Sequence, residues 1–322
     1  MNYKPIIIVA GEPFSIFIEI FFKAIKKNKF KHPIILIGSK NLMIEQMKKL
    51  NINHKFFIID KGDTDWTKLN NTKTYIINVN FSFKKPFEKI TIKSKNYISR
   101  CFKIASSLLK KNQFAGLING PISKRHFLSG NFLGITEYLA CQTNRKNNVA
   151  MLIYNKKLSV CPLTTHLPIK LVPKKITKKL IEEKIEIINS FFKKNFKIKP
   201  KIAVTGLNPH CESILKFNED ENLISDAIKT KTKKKINVKG PYPADTIFLK
   251  ENRSKFNVIL GMYHDQVLGP FKTIFEYDAI NITMGLPFLR ATPDHGPNQQ
   301  MVGKNQSNPQ SLIKALEFLD NK

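Results

Sequence analysis

Short apolar runs rich in Ile, Val and Leu alternate along this chain with longer segments of helical period, and this alternation restricts its fold more than any other feature. Tyr3–Ala10 and His32–Gly38 are typical of buried strands, and Ile16–Lys27 between them carries apolar residues at helical spacing. The clearest helix is Thr177–Phe192, which opens on a favoured N-cap residue. The pattern predicts an α/β fold with a largely parallel sheet.

Three histidines each follow closely on a predicted strand, in the segments LSVCPLTTH, KIAVTGLNPH and NVILGMYH; they are His166, His210 and His264. Ligands of open α/β sheets bind outside the carboxyl ends of the strands, so these side chains can converge on one site. Neutral imidazoles suit Zn²⁺ and similar divalent metals, and three protein ligands leave a position for a substrate. We therefore interpret them as a catalytic metal site; the alternative is that each is an ordinary polar residue at a strand end.

Two other polar residues stand in unusual surroundings. Asp245 in GPYPADTIF could orient a ligand histidine, bind the metal, accept a proton or cap a helix. Arg290 lies between GLP and DHG in a chain with only five arginines, and its fork of donors suits a carboxylate or phosphate. A surface ion pair is the alternative for Arg290. Since no G-x-G-x-x-G occurs, the sequence does not indicate where a dinucleotide would bind.

The net charge of +30 would by itself favour a polyanionic partner. Nearly all of the positive charge is Lys spread along the chain, which favours a solvated surface and argues against nucleic acid as a partner. A nucleic-acid-binding protein remains the alternative, and it predicts affinity that falls steeply with salt. The four cysteines form no C-x-x-C pair, and no apolar run is long enough for a signal or a membrane span. We expect a cytoplasmic protein that does not contact a membrane.

A succession of motifs in chain order carries a family resemblance. The motifs are GEP, NGPISK, G-x-T-E, TTHLP, GLNPH, GPYPADT, MYHDQ and N-x-T-x-GLP-x-x-R-x-x-x-DHG. Over nearly the entire chain they resemble the 4-hydroxythreonine-4-phosphate dehydrogenase family of pyridoxal 5′-phosphate (vitamin B6) biosynthesis. The resemblance implies a two-lobed α/β fold like that of isocitrate and isopropylmalate dehydrogenases, with the active site in the cleft between lobes. We expect 1–130 plus 285–322 to form the first lobe, and 131–284 to form the second, with the histidines and the dimer contacts.

The resemblance also implies a reaction. An NAD- or NADP-dependent oxidoreductase of this family oxidises 4-phosphooxy-L-threonine at C3, and decarboxylation then gives 3-amino-2-oxopropyl phosphate. A divalent metal, Zn, Mg, Mn or Co, would lie on the three histidines, in a homodimer whose partner subunit completes the site. The implied substrate contacts are Thr136, Lys272, Asn281 and Arg290. We take Asp245 as the candidate proton acceptor, with a metal-bound water as its rival, and Lys272 as the second catalytic residue.

Three departures from the family pattern are visible. Ile135 stands where the family has a histidine in G-H-T-E, and it cannot donate a hydrogen bond to an anion. The first loop has bulky residues at Phe14–Ile18 where small ones are usual, and Pro297-Asn298 follow DHG. These changes leave two alternatives, a sister dehydrogenase acting on another phosphorylated hydroxy acid and a weakly active relic.

Overall fold

The chain forms two compact units. The computed structural model describes residues 3–128, 130–132, 134–146, 148–213, 217–293 and 295–322. Unit 1 extends to Asn144 and resumes at Leu286, and unit 2 runs Arg145–Gly285. Both chain ends therefore belong to unit 1. Strands and helices are numbered in chain order, with β1–β5 and β12 in unit 1 and β6–β11 in unit 2.

The boundary after Asn144 differs from the sequence expectation, which placed residues 131–144 in the second lobe. Packing explains the difference. The ring of Tyr138 lies 5.6 Å from that of Phe102 and 5.1 Å from that of Phe127, both in unit 1. Aromatic pairs at such separations are favourable, so this segment stays with the unit that precedes it.

Unit 1 is built on parallel strands in the order β3-β4-β2-β1-β5-β12. The strands are β1 (Ile6–Val9), β2 (Ile34–Gly38), β3 (Phe56–Ile58), β4 (Thr74–Asn78), β5 (Gly116–Asn119) and β12 (Arg290–Pro293). The helices are α1 (Phe17–Lys27), α2 (Lys40–Lys49), α3 (Ser94–Leu109), α4 (Ile135–Gln142) and α10 (Gln310–Asp320). Every residue of β1, β2 and β5 is buried, as expected of parallel strands covered on both faces.

The bulky residues near the start of the chain belong to the core of unit 1. Phe14, Phe17 and Ile18 are at most 5% exposed. Helix α1 begins at Phe17, so only the first part of the expected loop is non-helical. These large side chains fill the core of unit 1. The family pattern alone did not indicate this packing role.

Unit 2 has the strand order β11-β6-β7-β10-β8-β9. The strands are β6 (Ala150–Tyr154), β7 (Ser159–Pro162), β8 (Ile202–Thr205), β9 (Val238–Tyr242), β10 (Val258–Gly261) and β11 (Ile280–Met284). The helices are α5 (Val172–Lys175), α6 (Lys178–Phe196), α7 (Asp226–Lys233), α8 (Lys250–Arg253) and α9 (His264–Phe275). Strand β6 is antiparallel to β7 and β11, whereas β7, β10, β8 and β9 are mutually parallel.

The helix predicted at Thr177–Phe192 is confirmed as α6. Thr177 caps α6, because its hydroxyl accepts a hydrogen bond from the Leu180 amide at 3.2 Å. The predicted α/β class with a largely parallel sheet is therefore correct in both units. Among the described residues, no helix combines the length and the apolar character that crossing a bilayer requires.

Candidate active site

Three neighbouring parallel strands carry the predicted ligand histidines. Strand β10 lies between β7 and β8 and is parallel to both. His166 follows β7, His264 follows β10 and opens α9, and His210 follows β8. Because parallel strands end at the same edge of a sheet, the three segments that carry these histidines all begin at one edge of the unit 2 sheet.

Two of the imidazoles lie close together. The ring centres of His166 and His264 are 5.7 Å apart. Rings at this separation can face one cation, because a Zn–N bond is about 2.0–2.1 Å long and the ring centre lies roughly 1 Å behind its nitrogen. Nδ1 of His264 is 2.6 Å from a carboxylate oxygen of Asp265. Such a carboxylate contact orients many metal-binding histidines and leaves Nε2 to bind the metal.

The third histidine lies in a strained turn. His210 is exposed, and both it and Cys211 have left-handed backbone conformations, with φ of 55° and 62°. Such conformations cost an L-residue about 1–2 kcal/mol each, and they are common at functional sites. Within the described residues, no three His, Cys, Asp or Glu side chains lie close enough together to hold a metal. One chain therefore brings two of the three predicted ligands together, and their imidazole chemistry fits a divalent cation.

Asp245 lies in the turn that follows β9 and is exposed. Helix α8 has Leu249 as its N-cap residue, so Asp245 does not cap a helix. The pKa of Cys211 is raised, mainly by burial and also by the negative charges of Asp220 and Asp245. Asp245 is therefore near the turn that contains His210.

Lys272 and Asn281 occupy other parts of unit 2. Lys272 is exposed on α9, eight residues after His264, which corresponds to about 12 Å along a helix. It is therefore not brought next to His264. Asn281 lies on β11, and its Oδ1 is buried and accepts no hydrogen bond from the described residues. Leaving a buried acceptor unsatisfied costs about 1–3 kcal/mol, so this atom is suited to receive a donor from a ligand.

In unit 1, Arg290 and Thr136 are brought together. Arg290 is 4% exposed, so the surface ion pair that the sequence left open is excluded. Its Nη1 donates to the Thr136 hydroxyl at 3.3 Å, and its Nε and Nη2 donate to Asn119 Oδ1 at 3.0 and 2.9 Å. Burial lowers the pKa of Arg290 to about 10, against the opposing charge of Glu137. The guanidinium therefore stays charged at neutral pH, and its orientation is fixed.

A lysine side chain, that of Lys124, lies near Ile135. Ile135 opens α4, directly before Thr136. Burial lowers the pKa of Lys124, and the charge of Glu137 opposes this effect, so Lys124 lies near this turn. The sequence alone did not identify which lysine could supply a positive charge there.

Sequence reasoning also assigned no role to two residues that hold site side chains in place. Asn119 ends β5 and orients Arg290. Gln266 is buried two residues after His264 and bonds to the segments after β8 and β10. The position of Asn119 at a strand end was a usable signal, whereas the contacts of Gln266 join distant parts of the chain and leave no local signature.

Comparison with known proteins agrees with the motifs. The family model described as pyridoxal phosphate biosynthetic protein PdxA matches residues 29–319. The chain is 38% identical over 323 residues to a 4-hydroxythreonine-4-phosphate dehydrogenase of Sulfurihydrogenibium sp. (strain YO3AOP1), covering 97% of this chain and 96% of the relative. It is 29% identical over 325 residues to a D-threonate 4-phosphate dehydrogenase of Salmonella typhimurium, covering 99% and 98%.

Solved structures are similar over the same length. A putative 4-hydroxythreonine-4-phosphate dehydrogenase from Salmonella typhimurium has a TM-score of 0.86 and 28% identity, covering 98% of each chain. A β-decarboxylating dehydrogenase from Thermococcus kodakarensis shares the fold, with a TM-score of 0.53 and 11% identity, covering 98% of this chain and 83% of the other. The expected likeness to the decarboxylating dehydrogenase fold is thus confirmed. The chain belongs to the family of pyridoxal phosphate biosynthetic protein PdxA.

Proposed function

We propose that this chain oxidises 4-phosphooxy-L-threonine at C3 with NAD⁺ or NADP⁺ and releases CO₂ to give 3-amino-2-oxopropyl phosphate. The observation that carries the proposal is the side-by-side placement of three histidine-bearing strand ends in a member of this family. The nicotinamide would accept hydride from C3.

His166, His210 and His264 would hold a divalent cation. An all-imidazole donor set favours Zn²⁺ or Co²⁺ over Mg²⁺, which prefers oxygen ligands. Such a cation would act as a Lewis acid on the C3 oxygen of the substrate. Because one chain brings only two of these rings together within its described residues, we propose that the enzyme is a homodimer in which a second copy completes the group. Light scattering should give twice the chain mass of 37.0 kDa, and a monomer would contradict this part.

The remaining side chains would bind the substrate and move one proton. Asp245, beside the His210 turn, would accept the proton of the C3 hydroxyl. Arg290 would bind a carboxylate or phosphate through its fork, and Thr136 would share in that contact. Lys272 would contribute a positive charge that attracts an anionic group of the substrate. Oδ1 of Asn281 would accept a hydrogen bond from the substrate ammonium or a hydroxyl.

The test is a metal-dependence assay. Purified protein is stripped with a chelator and given 4-phosphooxy-L-threonine, NAD⁺ or NADP⁺, and Zn²⁺, Co²⁺, Mn²⁺ or Mg²⁺ in turn. We expect reduced nicotinamide and CO₂ in equal amounts, with at least one metal restoring turnover. Absence of turnover with every metal and both nucleotides would contradict the proposal. The same proposal places the enzyme in the cytoplasm, which cell fractionation tests.

D-threonate 4-phosphate is the second candidate substrate. A Salmonella typhimurium relative with that substrate in its name is 29% identical over 99% of this chain. Ile135, directly before Thr136, also has no hydrogen-bond donor in its side chain, unlike the histidine of the family pattern. The two substrates differ at C2, an ammonium in one and a hydroxyl in the other. Measuring kcat/KM for both with one enzyme preparation decides between them, and the proposal requires the larger value for 4-phosphooxy-L-threonine.

A further inference from the structure

One buried amide joins two of the histidine-bearing strand ends. Gln266 is 8% exposed. Its Oε1 accepts hydrogen bonds from the Met262 amide at 2.7 Å and the Thr205 hydroxyl at 2.8 Å. Its Nε2 donates to the Gly206 carbonyl at 2.7 Å. Gln266 therefore links the end of β10, before His264, to the end of β8, before His210.

The segment that leads to His210 is held from a second direction. Asp220 is fully buried, and its carboxylate accepts hydrogen bonds from the Leu207 amide at 2.6 Å and the Asn208 side chain at 2.8 Å. A Cβ at Gly206 would lie 2.5 Å from Asp220 Oδ1, so only glycine permits this approach. The backbone from Gly206 to Asn208 is thus fixed between Gln266 and Asp220.

The third histidine-bearing segment joins the same network through Met262. The Met262 carbonyl accepts from the Thr164 hydroxyl at 2.8 Å and from the Thr164 amide at 3.3 Å. Leu163 likewise donates its amide to the Gly261 carbonyl at 2.7 Å. The peptide groups of Met262 therefore connect to Gln266 on one side and to the segment before His166 on the other.

We propose that Gln266 is a positioning residue, which holds the segments of His210 and His264 of one chain in the orientation that each imidazole needs to bind a divalent cation. This inference rests on the proposed function. Both lone pairs of the Gln266 carbonyl are used, and all three bonds go to segments that carry a ligand histidine. Buried polar networks that are satisfied in this way fix one geometry, because every alternative leaves groups unpaired.

The test compares metal binding in two matched variants. Gln266→Met keeps the length of the side chain and removes its three bonds. Gln46→Met removes a glutamine of unit 1 that is 1% exposed and donates to the Pro13 and Pro86 carbonyls at 2.8 and 2.9 Å. Each full-length protein is titrated calorimetrically with Zn²⁺ or Co²⁺ alone, and its thermal unfolding is measured.

We expect Gln266→Met to bind the cation about 10–100-fold more weakly than wild type, the range typical of residues that orient metal ligands. Its turnover should recover as the metal concentration rises. Gln46→Met should lose thermal stability while keeping wild-type metal affinity. An unchanged affinity in Gln266→Met overturns the proposal, and so does an equal loss of affinity in Gln46→Met.

Thr205→Val gives a second, milder test if Gln266→Met does not fold. It removes one donor to Gln266, and Thr205 is fully buried in β8. We expect an affinity about 3- to 10-fold below wild type, as the loss of one hydrogen bond predicts. An unchanged affinity again overturns the role of Gln266. Wild-type protein that binds neither cation contradicts the proposed function itself, which separates the two failures.

Discussion

The two units present their functional side chains in opposite ways. In unit 1, Arg290 is buried and already bonded to Asn119 and Thr136. In unit 2, His210 is exposed, and the three histidines do not form a complete metal group among the described residues of one chain. Arg290, the side chain proposed to bind an anion, is therefore organised by folding alone. In our proposal the histidines need a cation and a second copy of the chain to come together. Four substitutions test this difference between the units.

Replacing a ligand histidine should have the largest effect. His210→Ala should lower turnover by about 10³-fold, roughly 4 kcal/mol, because metal ions contribute several kcal/mol to such transition states. The same variant should bind Zn²⁺ more weakly in calorimetry. His54→Ala is the control; that histidine bonds to Thr74 in unit 1 and should leave both quantities unchanged. Turnover near the wild-type rate in His210→Ala would remove His210 from the site.

Unit 1 should lose stability as the pH rises towards neutrality. Glu12 is 1% exposed, so its carboxyl group is almost entirely removed from water. Burial raises its pKa from 4.5 to about 7, with Ser94 opposing. The folded state therefore holds a proton that the unfolded state releases. The contribution of this proton to the free energy of unfolding is at most about 3 kcal/mol. It is fully present below pH 4.5 and is lost as the pH rises from 4.5 to 7.

Glu12→Gln should remove that part of the pH dependence. Denaturant unfolding at pH 5 and pH 8 is followed by fluorescence of Trp66, the single tryptophan, which is buried in unit 1. Glu19→Gln is the matched control, because Glu19 is also buried but is paired with Lys23 at 2.8 Å. The change in unfolding free energy from pH 5 to pH 8 is then compared between Glu12→Gln and wild type. If the two changes are equal, Glu12 is not the cause of the pH dependence.

Arg290→Lys should affect substrate binding without affecting the metal. Lysine keeps the charge and loses the fork, so we expect KM to rise about 10-fold, or ~1.4 kcal/mol. Zn²⁺ affinity should not change. Arg253→Lys provides the control, since Arg253 donates to the Phe248 carbonyl in unit 2. A wild-type KM in Arg290→Lys would show that unit 1 does not bind the anion through this residue.

Asn119→Ala should have the smallest effect on activity. The variant removes the acceptor of two Arg290 hydrogen bonds, so the guanidinium loses part of its fixed orientation. We expect KM to rise about 3- to 5-fold, the equivalent of one ordinary hydrogen bond. Thermal unfolding is measured alongside. A lower melting temperature with unchanged KM would mean that Asn119 supports the fold but not substrate binding.

The sequence was sufficient where local pattern and sheet geometry decide the outcome. The apolar strands and the N-cap at Thr177 were readable from residue type. The position of His166, His210 and His264 after neighbouring parallel strands followed from the rule that such strands end at one edge of the sheet. Both successes depend on features that need no knowledge of long-range contacts.

Long-range packing explains what the sequence did not reveal. Helix α9 continues through Gly269 and Pro270, which a sequence pattern treats as a break, so the distance of Lys272 from His264 was not foreseeable. Tyr138 keeps its segment in unit 1 through contacts with distant rings. The bonds of Gln266 to Thr205 and Gly206 span about sixty residues of chain and have no sequence signature.

Anomalous diffraction from crystals grown with Zn²⁺ would show whether three imidazoles bind one divalent cation. We expect a zinc peak about 2.0–2.1 Å from a nitrogen of each of His166, His210 and His264, counting a second copy of the chain where one is present. A zinc ion held by other residues, or a peak that any one of these histidines does not reach, would contradict it.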